Sequence, residues 1–180
     1  MPVNMKAMIA ETFLTLAGLK NVDKITVKDL VEACGISRQT FYYHFQDIID
    51  VVEWLVERNT QTMLERSLAA GDPREAIRIF VADAVEKRDL IQRLLASQRL
   101  EQVRGTMFQA FRTYLRELFR SREPAQPVRV SDLETLIDFC AFGIAGLLLE
   151  HCQRPRTDVE LLTDQIYRLL SGEMIPRVEL

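Results

Sequence analysis

Apolar positions recur along this chain at the three- and four-residue spacing of amphipathic helices, with few interruptions. Ile9, Phe13 and Leu16 mark one face of a first helix over about Asn4–Leu19. Leu30, Val31 and Cys34 mark a second, and Phe41 and Phe45 a third. A longer pattern runs from about Asp47 to Ala70, and others follow near Pro73–Lys87, Asp89–Leu100, Glu101–Arg122, Asp132–Gln153 and Asp158–Leu170. Breaks separate them. Gly71-Asp72-Pro73 offers a helix stop, a cap and a proline for the first helical position. Glu123–Pro127 and Gln153–Asp158 are further breaks, and Ser131 or Asp132 would cap the helix after the first of these. No strand alternation and no internal repeat interrupts this pattern, so the fold class is all-α.

The segment from Ile25 to Phe45 is locally the most determined. Thr26 is a good N-cap, and Asp29 three residues on comes close to a capping box. Gly35 ends the helix where a left-handed residue is needed. Ile36 fills the corner and Ser37 caps the next helix. Phe41 and Phe45 then face inward, which leaves polar and aromatic tips outside. Arg38 can donate a fork to guanine and Gln39 can pair with adenine. Thr26, Ser37, Thr40, Tyr42 and His44 suit phosphates, Tyr43 suits a base edge, and Lys28 could reach either. Two short helices joined this way present the second to a major groove. Tight helical hairpins with an ordinary polar face are also common, so spacing alone leaves both readings open.

This segment resembles the DNA-binding helix-turn-helix of the TetR/AcrR family of transcriptional regulators. Thr26, Leu30, Ala33, Gly35, Ile36, Ser37, Thr40, Phe41, Tyr42 and Phe45 carry the resemblance in the family's order and spacing. Asp23–Val27 and Phe41–Phe45 further resemble the subgroup of dihydroxyacetone kinase regulators. The resemblance implies a helix-turn-helix head over residues 1–50 and a helical regulatory and dimerisation body over 51–180. It also implies double-stranded operator DNA as partner, a second copy of the chain, and a small-molecule or protein effector. Ile48 departs from the pattern, because it stands where the family usually has a phosphate-binding lysine.

Charge narrows this picture. The 180 residues carry a net charge of -3, and acidic residues balance lysines and arginines in the first fifty positions. Non-specific DNA affinity scales with the phosphates neutralised, so binding would rest on specific contacts and on a dimer. Three cysteines, Cys34, Cys140 and Cys152, show no metal spacing and read as reduced, intracellular thiols. With no secretory signal and no run long enough for a bilayer, the expected compartment is the cytoplasm. No cofactor or metal is expected.

In the body, Leu136, Cys140, Ile144 and Leu147 make one helix apolar around much of its circumference, with Gly143 allowing close approach. Leu162, Ile166 and Leu169 make the last helix similar. The residues alone fit either a monomer core or an interface; the resemblance implies that these two helices pair with their copies. It likewise implies an effector cavity, for which Trp54, Met63, Phe80, Met107, Phe108, Phe111, Tyr114 and Phe139 are candidates. Such residues are more often plain core. The arginines from Arg88 to Arg122 read as a solvated face beside Glu86, Asp89, Glu101 and Glu117 rather than as an anion site. Catalysis is not expected. His151 and Cys152 are adjacent and point about 100° apart on a helix, and no phosphate loop or paired-histidine motif occurs. The leading expectation is a ligand-responsive homodimeric repressor, and the alternative is a regulator working through a protein partner.

Overall fold

The computed structural model describes residues 4–98, 100–121 and 129–174, except the side chains of 95 and 100–104. Among the described residues all regular structure is helical: α1 Met5–Leu19, α2 Val27–Cys34, α3 Arg38–His44, α4 Ile48–Ala69, α5 Pro73–Glu86, α6 Arg88–Leu95, α7 Leu100–Arg120, α8 Val130–Cys152 and α9 Val159–Leu170. A 3-10 turn, Val22–Lys24, lies between α1 and α2. The break at Glu123–Pro127, together with Arg99 and Arg122, falls outside the described residues.

Caps explain most helix starts. Asn4, Ser37, Asp72 and Asp158 each accept a backbone N–H of the first turn that would otherwise lack a partner. Asp47 does the same for Ile49 and Asp50 at the start of α4. The expected cap at Ser131 or Asp132 is corrected. α8 begins at Val130, and its N-cap Arg129 makes no side-chain cap bond.

Two compact units form, one from Met1–Asn59 with Leu90–Met107, the other from Thr60–Asp89 with Phe108–Leu180. The core of the first gathers Ile9 and Phe13 of α1, Leu30 of α2, Phe41 and Phe45 around α3, and Val51 of α4. Leu94 of α6 is buried in the same core. Three polar ties hold this late segment to the early one. Arg93 donates to the carbonyls of Ala17 and Gly18 at 2.7 and 2.8 Å, at the end of α1 where carbonyls lack helical partners. Asp23 accepts from the Ser97 hydroxyl at 2.5 Å and from the Gln98 N–H at 3.0 Å. Thr106 donates to Glu53 at 3.1 Å.

The second unit packs α5, α8 and α9 around Val81, Ile137, Ala141, Leu162 and Ile166. Here the arginine-rich face is more than solvated surface. Arg116 and Arg112 of α7 reach Glu134 of α8 at 2.8 and 3.4 Å, and Arg112 also pairs with Asp138. Arg88 donates to the Pro155 carbonyl at 2.8 Å.

Candidate nucleic-acid interface and body cavity

The local chemistry of α2 and α3 holds their mutual geometry. Thr26 and Asp29 close a capping box: the Asp29 N–H donates to the Thr26 hydroxyl oxygen at 3.2 Å, and the Thr26 N–H donates to the Asp29 carboxylate at 2.7 Å. Lys20 pairs with that carboxylate at 2.8 Å, and together with the Thr26 donors it holds Asp29 well below the usual carboxylate range. Gly35 takes φ 66°, the left-handed value the corner requires. Ser37 accepts from the Thr40 N–H at 3.0 Å, and the two hydroxyls share a further bond of 2.9 Å. Phe41 and Phe45 are buried and touch at 6.0 Å between centroids, so α3 cannot roll on its support.

What α3 turns outward is therefore defined. Tyr43 is 84 % exposed and Tyr42 58 %. Arg38 and Gln39 are exposed, and Thr40 and His44 half-buried. Gln39, Thr40 and Tyr43 rim a shallow depression, and the Tyr43 and His44 rings meet edge to face at 4.9 Å. Lys28 is exposed and only loosely paired with Glu32 at 3.7 Å. The Thr26 hydroxyl also donates to Asp29 at 2.7 Å, so in this structure it serves the cap of α2. Ile48 is buried at the start of α4, where it completes the core and offers no charge.

The cavity candidates divide. An apolar cavity of about 270 Å³ opens in the second unit, and Phe80, Phe111 and Tyr114 line it. Phe80 stacks on Phe111 at 4.4 Å and on Tyr114 at 5.3 Å. The other five candidates do not line it. Trp54 packs on Phe45 and Met107 joins the same core, both in the first unit. Met63 is buried in the second core, Phe108 meets Phe142 in a tilted ring contact at 4.1 Å, and Phe139 is 75 % exposed. The lining also includes Leu118, Phe119 and Tyr167, which helical spacing had not singled out.

The interface candidates divide in the same way. Cys140, Ile144, Leu162 and Ile166 are buried within the protomer, so they are core and not available to a partner. Leu136, Gly143 and Leu169 are exposed and Leu147 is half-buried. The exposed stripe on α8 runs through Leu136, Phe139, Phe142, Gly143 and Gly146, and α9 exposes Leu161, Leu169 and Leu170. Phe142 had not been placed on this face; a helix apolar all round gives no sign of which stripe points inward. The buried thiols Cys140 and Cys152 are shifted upward by desolvation. Among the described residues no metal-binding cluster occurs, and no helix is long and apolar enough to cross a membrane.

Residues 11–53 match the family model described as bacterial regulatory proteins, tetR family. Among curated proteins none matches the chain at a significant level. Among solved structures, the fold is similar to the dihydroxyacetone kinase operon activator DhaS, at 20 % identity, over 96 % of this chain and 97 % of that one, with a TM-score of 0.73. It is also similar to Thermus thermophilus FadR, a TetR-family repressor in complex with lauroyl-CoA, at 16 % identity, over 97 % of both chains, with a TM-score of 0.62. A third is the fatty acid degradation regulator FadR from Bacillus halodurans, at 15 % identity, over 98 % of this chain and 100 % of that one, with a TM-score of 0.59.

Proposed function

We propose that this chain is a homodimeric repressor of the TetR type that reads a palindromic operator with α3 and answers to a small-molecule effector; the match of residues 11–53 to the tetR family model supports the reading. The family's activity is DNA-binding regulation of transcription, not catalysis. The observation that carries the operator reading is the outward set Arg38, Gln39 and Tyr43 on a helix fixed by two caps, Gly35 and two buried phenylalanines. In this reading Arg38 and Gln39 contact base edges with Tyr43, while Ser37, Thr40, Tyr42, His44 and Lys28 hold the backbone. Residues 1–50 do the reading, and residues 51–180 dimerise and bind the effector in the cytoplasm. The α8 stripe through Leu136, Phe139, Gly143 and Gly146, with Leu161 and Leu169 of α9, is the proposed two-fold interface. Supporting it is the exposure of Phe139 and Phe142, since rings left in water at this density mark a surface that another protein covers. A two-fold pair presents two reading helices about one DNA turn, roughly 34 Å, apart.

A second reading, which the uncharged Ile48 favours, is a regulator that acts through a protein partner; the likeness to DhaS, described as an operon activator, separately supports activation over repression. Repression and activation differ in operator placement, not in the reading helix.

Replacing Arg38 and Gln39 by Ala tests the assignment in a gel-shift titration. Each lost bidentate contact should cost about 1–3 kcal/mol and relax sequence preference. Unchanged operator affinity and preference would remove these residues from the interface.

A further inference from the structure

The second-unit cavity is specific in its chemistry. Its walls bring the stacked rings of Phe80, Phe111 and Tyr114 against Leu115, Ile144 and Ile166, and among the described residues no charged side chain lines it. The arginines and carboxylates of the surrounding helices are engaged with one another, Arg116 with Glu134 at 2.8 Å and Arg74 with Glu160 at 3.3 Å. The Tyr114 hydroxyl shares a bond with the buried Ser67 hydroxyl at 2.9 Å and lies 3.4 Å from the Ala76 carbonyl, so its polar end is satisfied within the protein. The remaining polar side chains are Ser171, Tyr167 and the Cys140 thiol. A carboxylate or phosphate placed here would lose its water with no cation to replace it, and a polyol would leave hydroxyls unbonded. Apolar walls of this kind keep a cavity dry and favour an apolar guest.

Size sets the second limit. An apolar cavity of about 150 Å³ takes benzene. By that scale the 270 Å³ here holds about ten non-hydrogen atoms. We propose that this cavity binds an uncharged, hydrocarbon-like molecule of about that size and rejects both anions and small polyols. The inference rests on the reading of the chain as effector-responsive and supplies the chemical class of the effector. Lauroyl-CoA, the ligand of the Thermus thermophilus neighbour, carries phosphates that the described lining does not accommodate.

The test uses the full-length protein and four probes: naphthalene, 1-octanol, octanoate and dihydroxyacetone. 1-Octanol and octanoate share a chain and differ in charge. Thermal unfolding at pH 7.5 reads binding, and maleimide labelling, followed peptide by peptide, reads its location. Cys140 lines the cavity, whereas Cys152 lies in the same unit off the cavity and Cys34 in the other unit. Naphthalene and 1-octanol should raise the melting temperature and slow Cys140 labelling at least tenfold, with Cys34 and Cys152 unchanged. 1-Octanol should bind at least thirtyfold more tightly than octanoate. The cavity-filling variants Ile144→Phe and Leu115→Phe, each checked for folding by its unliganded melting curve, should abolish the protection. Equal or tighter binding of octanoate or dihydroxyacetone would overturn the proposal. So would failure of both neutral probes, as when a side chain of a second copy fills the space. Operator binding without probe is measured separately, so its loss would count against the DNA-reading assignment and not against the ligand class.

Discussion

Truncation of Phe139 is the sharpest probe of the proposed interface. The residue is 75 % exposed and Phe142, one turn on, 66 %. A phenylalanine offers about 200 Å² of accessible surface, so the two rings leave about 280 Å² of apolar area in water on each protomer. At about 25 cal/mol per Å² their burial is worth about 7 kcal/mol per protomer, an upper bound because a rim stays wet. Two copies contribute twice that, against an association cost of about 4–15 kcal/mol. Phe139→Ala removes about 100 Å² on each side and should weaken the dimer by about 2–5 kcal/mol, roughly thirtyfold to several thousandfold in Kd. Because Phe139 packs into no protomer core, the folded monomer should lose less than about 0.5 kcal/mol. Sedimentation equilibrium across a concentration series measures the first quantity and urea denaturation the second. A wild-type chain that stays monomeric at tens of micromolar, or a variant that dimerises equally well, would refute the interface. The Ile144→Phe variant is expected to leave association unchanged, since Ile144 is core.

Three further outcomes follow from the local chemistry. Gly35→Ala, at φ 66°, should cost about 1–2 kcal/mol in urea denaturation, and a cost near zero would mean that the corner does not need its left-handed residue. Arg93→Ala removes the donor to Ala17 and Gly18 and should destabilise the first unit by about 1 kcal/mol, visible as faster amide exchange at the end of α1; unaltered exchange there would contradict the clamp. Asp29, Glu75 and Glu134 are held low by Lys20, Arg78 and Arg116 respectively. Folded values below unfolded ones mean that their contribution is present above about pH 4 and is lost as pH falls through the folded values. Asp29→Asn should flatten the pH dependence between pH 5 and pH 2, and an unchanged slope would remove Asp29 from the account.

The parts legible in the sequence are those whose physics is local. Thr26, Asp29, Gly35 and Ser37 act within four residues of themselves, so the caps and corner were readable from spacing. Phe41 and Phe45 were readable as an inner face for the same reason. Long-range packing was not. α8 is apolar around its circumference, so spacing gave no reason to send Cys140 and Ile144 inward and leave Phe139 in water. Met107 joins the first unit because residues 90–107 return to it, anchored by Arg93 on α1 and by Asp23 on Ser97. Those bonds join residues more than seventy positions apart, and no local spacing links their ends. The arginine run looked like solvated surface because its partners, Glu134 and Asp138, sit on another helix.

The central claim is that α3 reads a palindrome through a two-fold dimer. Selection of binding sites from random duplexes by the purified full-length chain, at low salt, tests it most directly. The account predicts enrichment of an inverted repeat with half-sites about one helical turn apart, lost with Arg38→Ala and Gln39→Ala and weakened with Phe139→Ala. Failure of the wild-type chain to enrich any palindrome would contradict it and favour a regulator that acts through a protein partner.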